Sequence, residues 1–220
     1  MNTPSLTDSD APAPGRTRRN RGSEVVRGAL VNAAIGEFAA HGFEGGSTRR
    51  IAEEADAHQS QIKYHFDTKD ELWKRCIDLL IDELDEAVRE QSDPTISDAR
   101  AVLEATLRGL VTFGARRPEL SRMMMHEAMS DSDRLAWLVD TKLRDRHAAL
   151  TQAWTELVSQ GLVAAIDPDL LYHTAIGASS LIYANAPEAR LLGIDPADPE
   201  LIKRHADALV TLFLGPKGKS

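Results

Sequence analysis

Residues 47–66, STRRIAEEADAHQSQIKYHF, constrain the fold more than any other part of the chain. Ser47 is well placed to cap a short helix over 48–54, in which Ile51 and Ala52 face inward. Ala55-Asp56-Ala57 forms a tight turn, and a helix over 59–66 carries Ile62 and Phe66 on one face. Packing through Ile51, Ala52, Ala55, Ile62 and Phe66 makes the pair a helix-turn-helix. Its second helix then has a free side, carrying Gln59, Ser60, Gln61, Lys63 and Tyr64. Glutamine can make paired hydrogen bonds to adenine, and lysine can reach guanine or a phosphate, so this edge suits a DNA major groove. Ser47, Thr48, Arg49, His58, His65 and Lys69 flank it, where the sugar-phosphate backbone would pass.

The remaining sequence reads as helices joined by short loops. Residues 1–22 are rich in Pro, Ser, Thr, Asp and Arg, lack periodicity and are expected to be a disordered basic tail. Ser23 caps a helix over 23–41, with Val26, Leu30, Ala34, Ile35 and Phe38 at helical spacing and Gly42 as its left-handed stop. Further helices are expected over 69–91, 96–115, from Pro118 through the methionine run, then over 133–160, 169–186 and 200–214. Residues 187–199 read as a loop, and Gly215-Pro216 ends the last helix. The prediction is an all-α chain of nine helices: a three-helix DNA-binding domain over 23–68 and a helical bundle over 69–220 for sensing and dimerisation.

Charge distribution agrees with that division. The net charge is −8, yet residues 16–75 hold 11 Lys and Arg against 9 Asp and Glu, while residues 76–220 hold 15 against 23. The basic excess is sharpest at Arg16, Arg18, Arg19, Arg21 and Arg27, a group suited either to a solvated tail or to phosphate and minor-groove contact. The single cysteine, Cys76, excludes an intrachain disulfide and is expected to be buried on its helix. No apolar run approaches a membrane span and no secretory leader is evident, so a cytoplasmic protein is expected.

Three segments then stand out together: Ala39-Ala40-His41-Gly42-Phe43, Ser47-Thr48-Arg49-Arg50-Ile51-Ala52-Glu53-Glu54-Ala55, and Ile62-Lys63-Tyr64-His65-Phe66-Asp67-Thr68-Lys69-Asp70-Glu71-Leu72. In order and spacing they resemble the tetracycline-repressor (TetR) family of bacterial regulators over about residues 23–75. Asp56 stands where that family usually has glycine, His58 where a small hydroxyl residue is usual and Lys63 where an aromatic is common. These departures bear on which bases are read. The resemblance implies a homodimer joined through the last two long helices, and by two-fold symmetry a near-palindromic double-stranded operator with half-sites about 34 Å apart.

It also implies a small-molecule site inside the C-terminal bundle. Expected lining residues are Leu103, Leu107, Leu110, Phe113, Met124, Met125, Trp137, Leu138, Trp154, Tyr172 and Tyr183, with Arg108, His126, Glu127, His173 and Asn185 as polar anchors. Met123–Met125 suits plain core filling equally, Trp137 and Trp154 suit core anchors, and His126-Glu127 suits a buried structural pair. The expected function is a ligand-responsive repressor with no cofactor, metal or membrane partner. The competing readings are an all-helical enzyme on a small hydrophobic substrate and a ligand-free architectural DNA binder. Nucleophile elbows, phosphate loops, metal-ligand spacing and paired carboxylates are all missing from the sequence.

Overall fold

The computed structural model describes residues 14–93, 95 and 98–216, with side chains from Gly22 onward. Among these residues every regular element is helical: α1 Pro14–Gly45, α2 Thr48–Glu54, α3 Gln59–Phe66, α4 Lys69–Glu90, α5 Ala99–Arg116 and α6 Glu119–Ala128. Then come α7 Asp133–Leu138, a π-helical turn Val139–Leu143, α8 Arg144–Ser159, α9 Pro168–Ala184, α10 Ala186–Leu191 and α11 Pro199–Leu214.

Local chemistry explains most boundaries. Ser47, Thr68, Asp98, Ser132, Asp167 and Asp198 each accept a backbone N–H with the side chain at a helix start. Pro168 and Pro199 sit in first turns, where a missing N–H costs nothing. Gly42 has φ 67° and breaks the helical run of α1 as expected. Asp56 adopts φ 49° in the turn between α2 and α3, the backbone that glycine would take more cheaply.

Four expectations need correction. Helix α1 begins at Pro14, so residues 14–22 are helical in backbone rather than disordered; residues 1–13 and the side chains of Arg16, Arg18, Arg19 and Arg21 lie outside the described residues. Pro118 is the residue before α6, not its first turn. The expected 133–160 helix is divided by the π turn, whose extra residue rotates α8 about the helix axis by about 100° relative to α7. That offset helps one run serve two cores, with Leu138 in the first and Trp154 and Leu157 in the second. The 187–199 loop contains α10, started by Pro187 in its first turn. The expected start of α5 at Ile96 lies outside the described residues, and the helix is seen from Ala99.

Two apolar clusters hold the molecule. One joins α1 to α4 with Phe113, Leu120, Met123 and Leu138; the other joins α5, α8, α9 and α11. The first runs beyond residue 68 along α4, through Leu72, Trp73, Cys76, Ile77, Leu80, Ile81 and Ala87. Cys76 is buried, with its thiol on the Val31 carbonyl, and burial pushes its pKa up.

Helices α4 and α5 approach closely at Gly109, where an added Cβ would stand 2.6 Å from the Val88 Cα. Gly109→Ala should therefore cost about 1–3 kcal/mol by urea unfolding, because backbone must move. Gly28→Ala, with nothing within 4 Å of its Cβ, should instead stabilise α1 by roughly 0.5–1 kcal/mol.

Candidate functional site

The helix-turn-helix is held on α1 by a charged clamp. Arg50 reaches back with Nε 2.9 Å from Glu37 Oε1 and 3.1 Å from Oε2, and its Nη2 donates to the Gly45 carbonyl at 3.0 Å. The Ser47 N–H donates to Glu37 Oε1 at 2.7 Å. Burial alone would raise the Glu37 pKa, but the Arg50 and Ser47 hydrogen bonds outweigh it and hold the carboxyl below its ordinary value. Arg50 is thus committed to the fold by its partners, whereas Arg49 pairs with Glu53, one turn along on its own helix, at 2.8 Å.

On α3 the inner edge, Ile62 and Phe66, is buried. The outer edge presents exposed Gln59, Ser60, Lys63 and Tyr64, the last 78% accessible. The Gln59 side-chain amide donates to Thr48 Oγ1 at 3.0 Å and bridges α3 to the start of α2. His65 is half-buried, edge-on to Tyr64 and beside Phe66. Exposed His58 precedes α3.

Two expected DNA residues are placed differently. Gln61 is half-buried, and its side-chain oxygen accepts the His58 backbone N–H at 3.1 Å, so it caps α3 instead of standing on the free edge. Lys69 is half-buried with its ammonium over the Phe43 ring, 4.6 Å from the centroid. Burial first, reinforced by Arg134 and opposed by Glu44 and Glu37, lowers its pKa. Beside α3, Arg27 lies over Phe66 at 5.5 Å and shares a surface groove with Lys63, Lys74 and Arg75. Arg27 was legible as part of a basic run, but not as a neighbour of α3.

A cavity of about 280 Å³ lies between α4, α5, α6, α8 and α9. Of the residues expected to line it, Leu103, Leu110, Phe113, Met124 and Tyr172 do so. The others are drawn away by different partners. Leu107, Leu138 and Trp154 are core residues, and the Trp154 indole donates to the Ile166 carbonyl at 3.0 Å. Arg108 spans Glu104 at 3.0 Å and Asp207 at 2.8 Å, tying α5 to α11. Met125 is 41% exposed, and exposed His126 lies against Gly42.

Trp137 packs edge-on against Trp73, beneath the Lys74 and Lys142 ammoniums. Exposed His173 bonds the Asp169 carbonyl, and Asn185 is the exposed C-cap of α9. Glu127 is buried, but its partners are Ser132 and Arg134, not His126. Tyr183 is buried, and its hydroxyl meets His205 Nδ1 at 2.9 Å. His205 Nε2 faces the Ala178 carbonyl, which can only accept, so Nε2 carries the proton and Nδ1 accepts from Tyr183. Burial pushes the Tyr183 pKa up to about 12.

Sequence reading missed several cavity residues: Ile81, Leu84, Asp85 and Val88 on α4, Val102, Thr106 and Gly114 on α5, Ser121 on α6, Arg146 on α8, and Ile176, Ser179 and Ser180 on α9. Asp78 and Asp85, two turns apart on α4, against Lys142 and Arg146, one turn apart, was the available signal. The pairs formed are Asp78–Lys142 at 2.6 Å and Asp85–Arg146. Among the described residues no group of three or more His, Cys, Asp or Glu is placed to hold a metal, and no helix is long and apolar enough to cross a membrane.

Comparison with known proteins adds four findings. Residues 30–76 match the family model described as bacterial regulatory proteins, tetR family. Over 109 residues the chain is 31% identical to the HTH-type transcriptional repressor SCO4008 of Streptomyces coelicolor, covering 50% of this chain and 53%, about half, of that protein. Over 179 residues it is 27% identical to the HTH-type transcriptional regulator RutR of Escherichia coli, covering 78% and 80% respectively. Its fold superposes on AibR, solved with isovaleryl coenzyme A and operator DNA, with TM-score 0.64 at 19% identity over 87% of this chain and 99% of that one.

The Glu37 clamp carries a pH signature. A carboxyl lowered in the folded state contributes stability that is intact above its ordinary value of 4.5 and is lost as pH falls through the lowered value. Glu37→Gln should remove that component. Its unfolding free energy, measured by urea titration from pH 6 downward, should fall less steeply below about pH 4.5 than that of the parent.

Proposed function

The chain belongs to the tetR family of bacterial regulatory proteins, and from that premise we propose that it is a dimeric repressor released from a palindromic operator by a small hydrophobic ligand. One observation carries the reading: a single helix serves both sites. Helix α4 starts three residues after α3 and walls the cavity with Ile81, Leu84, Asp85 and Val88. A ligand that favours another position of α4 would move α3 with it, by an amount set by its differential affinity for the two states.

On DNA, Ser60, Lys63, Tyr64 and Gln59 face base edges, and Ser47, Thr48 and Arg49 meet the backbone with Arg27 beside them. His58 and His65 flank the contact, and Lys69 reaches a phosphate only by leaving Phe43. The acidic body faces away and the basic end meets the polyanion. AibR, whose structure holds a coenzyme A thioester and operator DNA, is a precedent for one such fold serving both partners.

Leu170 and Leu181 on α9, Leu191 and Leu192 near α10 and Leu212 on α11 are 52–90% exposed, a large apolar cost in water that a second copy would remove. We assign the homodimer to this face. The boundary between reading head and sensor falls near residue 68 by function, although α4 belongs to both. A regulator of this kind works in the bacterial cytoplasm, where the chromosome is.

Selection from random DNA followed by fluorescence anisotropy tests the reading. A near-palindrome should emerge, with affinity falling steeply as salt rises. Lys63→Ala should lose about ten- to a hundredfold on that site and far less on unrelated DNA. Absence of any selected sequence defeats the proposal. Leu181→Glu with Leu212→Glu should give a folded monomer by sedimentation and at least about a hundredfold weaker operator binding, since one half-site remains.

A further inference from the structure

The cavity walls are hydrocarbon: Leu84, Val88, Leu103, Leu110, Phe113 and Ile176 all contribute. Among its described lining residues there is one cation, Arg146, and one anion, Asp85. These two pair with each other at the solvent edge, with side chains 36% and 45% exposed. Arg146 has a second tether, its Nη1 donating at 2.8 Å to the Lys142 carbonyl in the π turn. Asp85 stands on α4, the helix that leads to α3.

We propose that the effector is an amphipathic monocarboxylate, an aliphatic chain with a terminal carboxylate, whose head group takes Arg146 from Asp85. This rests on the reading of the cavity as the effector site. A half-exposed ion pair contributes little, so exchanging one carboxylate for another at Arg146 is inexpensive. The incoming carboxylate gains a planar guanidinium fork while its chain leaves water. The π-turn tether keeps Arg146 at the mouth, so Asp85 is the partner that moves. Its release removes one of the two ion pairs that join α4 to the run of the π turn and α8, leaving Asp78–Lys142 as the other. π turns recur at functional sites, and this one holds both cations of the α4 ties or their anchor. A cationic head group would need Asp85 to stay in place while repelled by the tethered Arg146, so it is disfavoured.

Calorimetric titration of the full chain with decanoate, 1-decanol and decylamine tests this. Decanoate should bind tightest of the three. Arg146→Gln should weaken decanoate by about ten- to a hundredfold and leave decanol unchanged, the loss expected for a charged hydrogen bond. Asp85→Asn, which removes the competitor, should tighten decanoate several-fold. Equal binding of decanoate and decanol, preference for decylamine, indifference to Arg146→Gln, or weaker decanoate binding by Asp85→Asn overturns the proposal. If decanol alone binds and Ile176→Trp abolishes it, the cavity reading survives and the carboxylate does not. If none of the three binds and Ile176→Trp leaves operator affinity unchanged, both fall.

Discussion

Burial of one face of α4 is the constraint on which the rest of the structure depends. Leu72, Trp73, Cys76, Ile77, Leu80 and Ile81 are all at most 3% exposed. Each large side chain among them contributes about 1.5–3 kcal/mol by leaving water. Their partners are on α1, α2 and α3 at one end and on α5, α6 and α7 at the other. The other face of the same helix is charged and pairs with Lys142, Arg146, Arg116 and Arg117. Helix α4 is therefore packed into both halves, closely against α5 where Val88 meets Gly109, and its half-exposed ion pairs to the π turn and α8 are the weaker part of its hold on the sensor. Its buried contacts with α1 and α3 let the head travel as a unit with α4.

A second path joins the halves. Arg134 lies over Phe43, 3.5 Å from the ring centroid, and bonds buried Glu127 and exposed Glu44. Glu127 is held by Ser132, which also caps α7. The α6–α7 corner, the end of α1 and Lys69 at the start of α4 thus meet around one aromatic ring. A shift of α6, whose Ser121 and Met124 line the cavity, reaches the start of α4 through this cluster as well as through α4 itself. Both routes are packed contacts and ion pairs between rigid helices.

Much of this was legible in sequence, and the limits were physical. Residues whose role is local were readable: Ser47 as a cap, Gly42 as a left-handed stop, Ile62 and Phe66 as an inner edge. Local chemistry decides these within a turn of helix. Gln61 was misread because a side chain on a free edge can still bend back to cap its own helix. The cavity was half legible. Leu103, Leu110, Phe113, Met124 and Tyr172 line it, but Leu107, one turn from Leu103, faces the second core. Which side of a helix buried on several faces meets a void depends on neighbours distant in sequence. The π turn and α10 left no periodicity signal, because each alters the phase of a pattern without removing it.

The claim that α4 carries the position of α3 can be measured directly. Spin labels at Ser60→Cys, with Cys76→Ser, report the separation of the two reading edges by pulsed dipolar spectroscopy. On the selected operator the distribution should centre near 34 Å, about one turn of the duplex. Filling the cavity with Ile176→Trp should displace that distribution in the free protein by several ångström and weaken operator binding. An absent dipolar signal, or an unchanged separation in a variant that no longer holds its operator, would contradict the account.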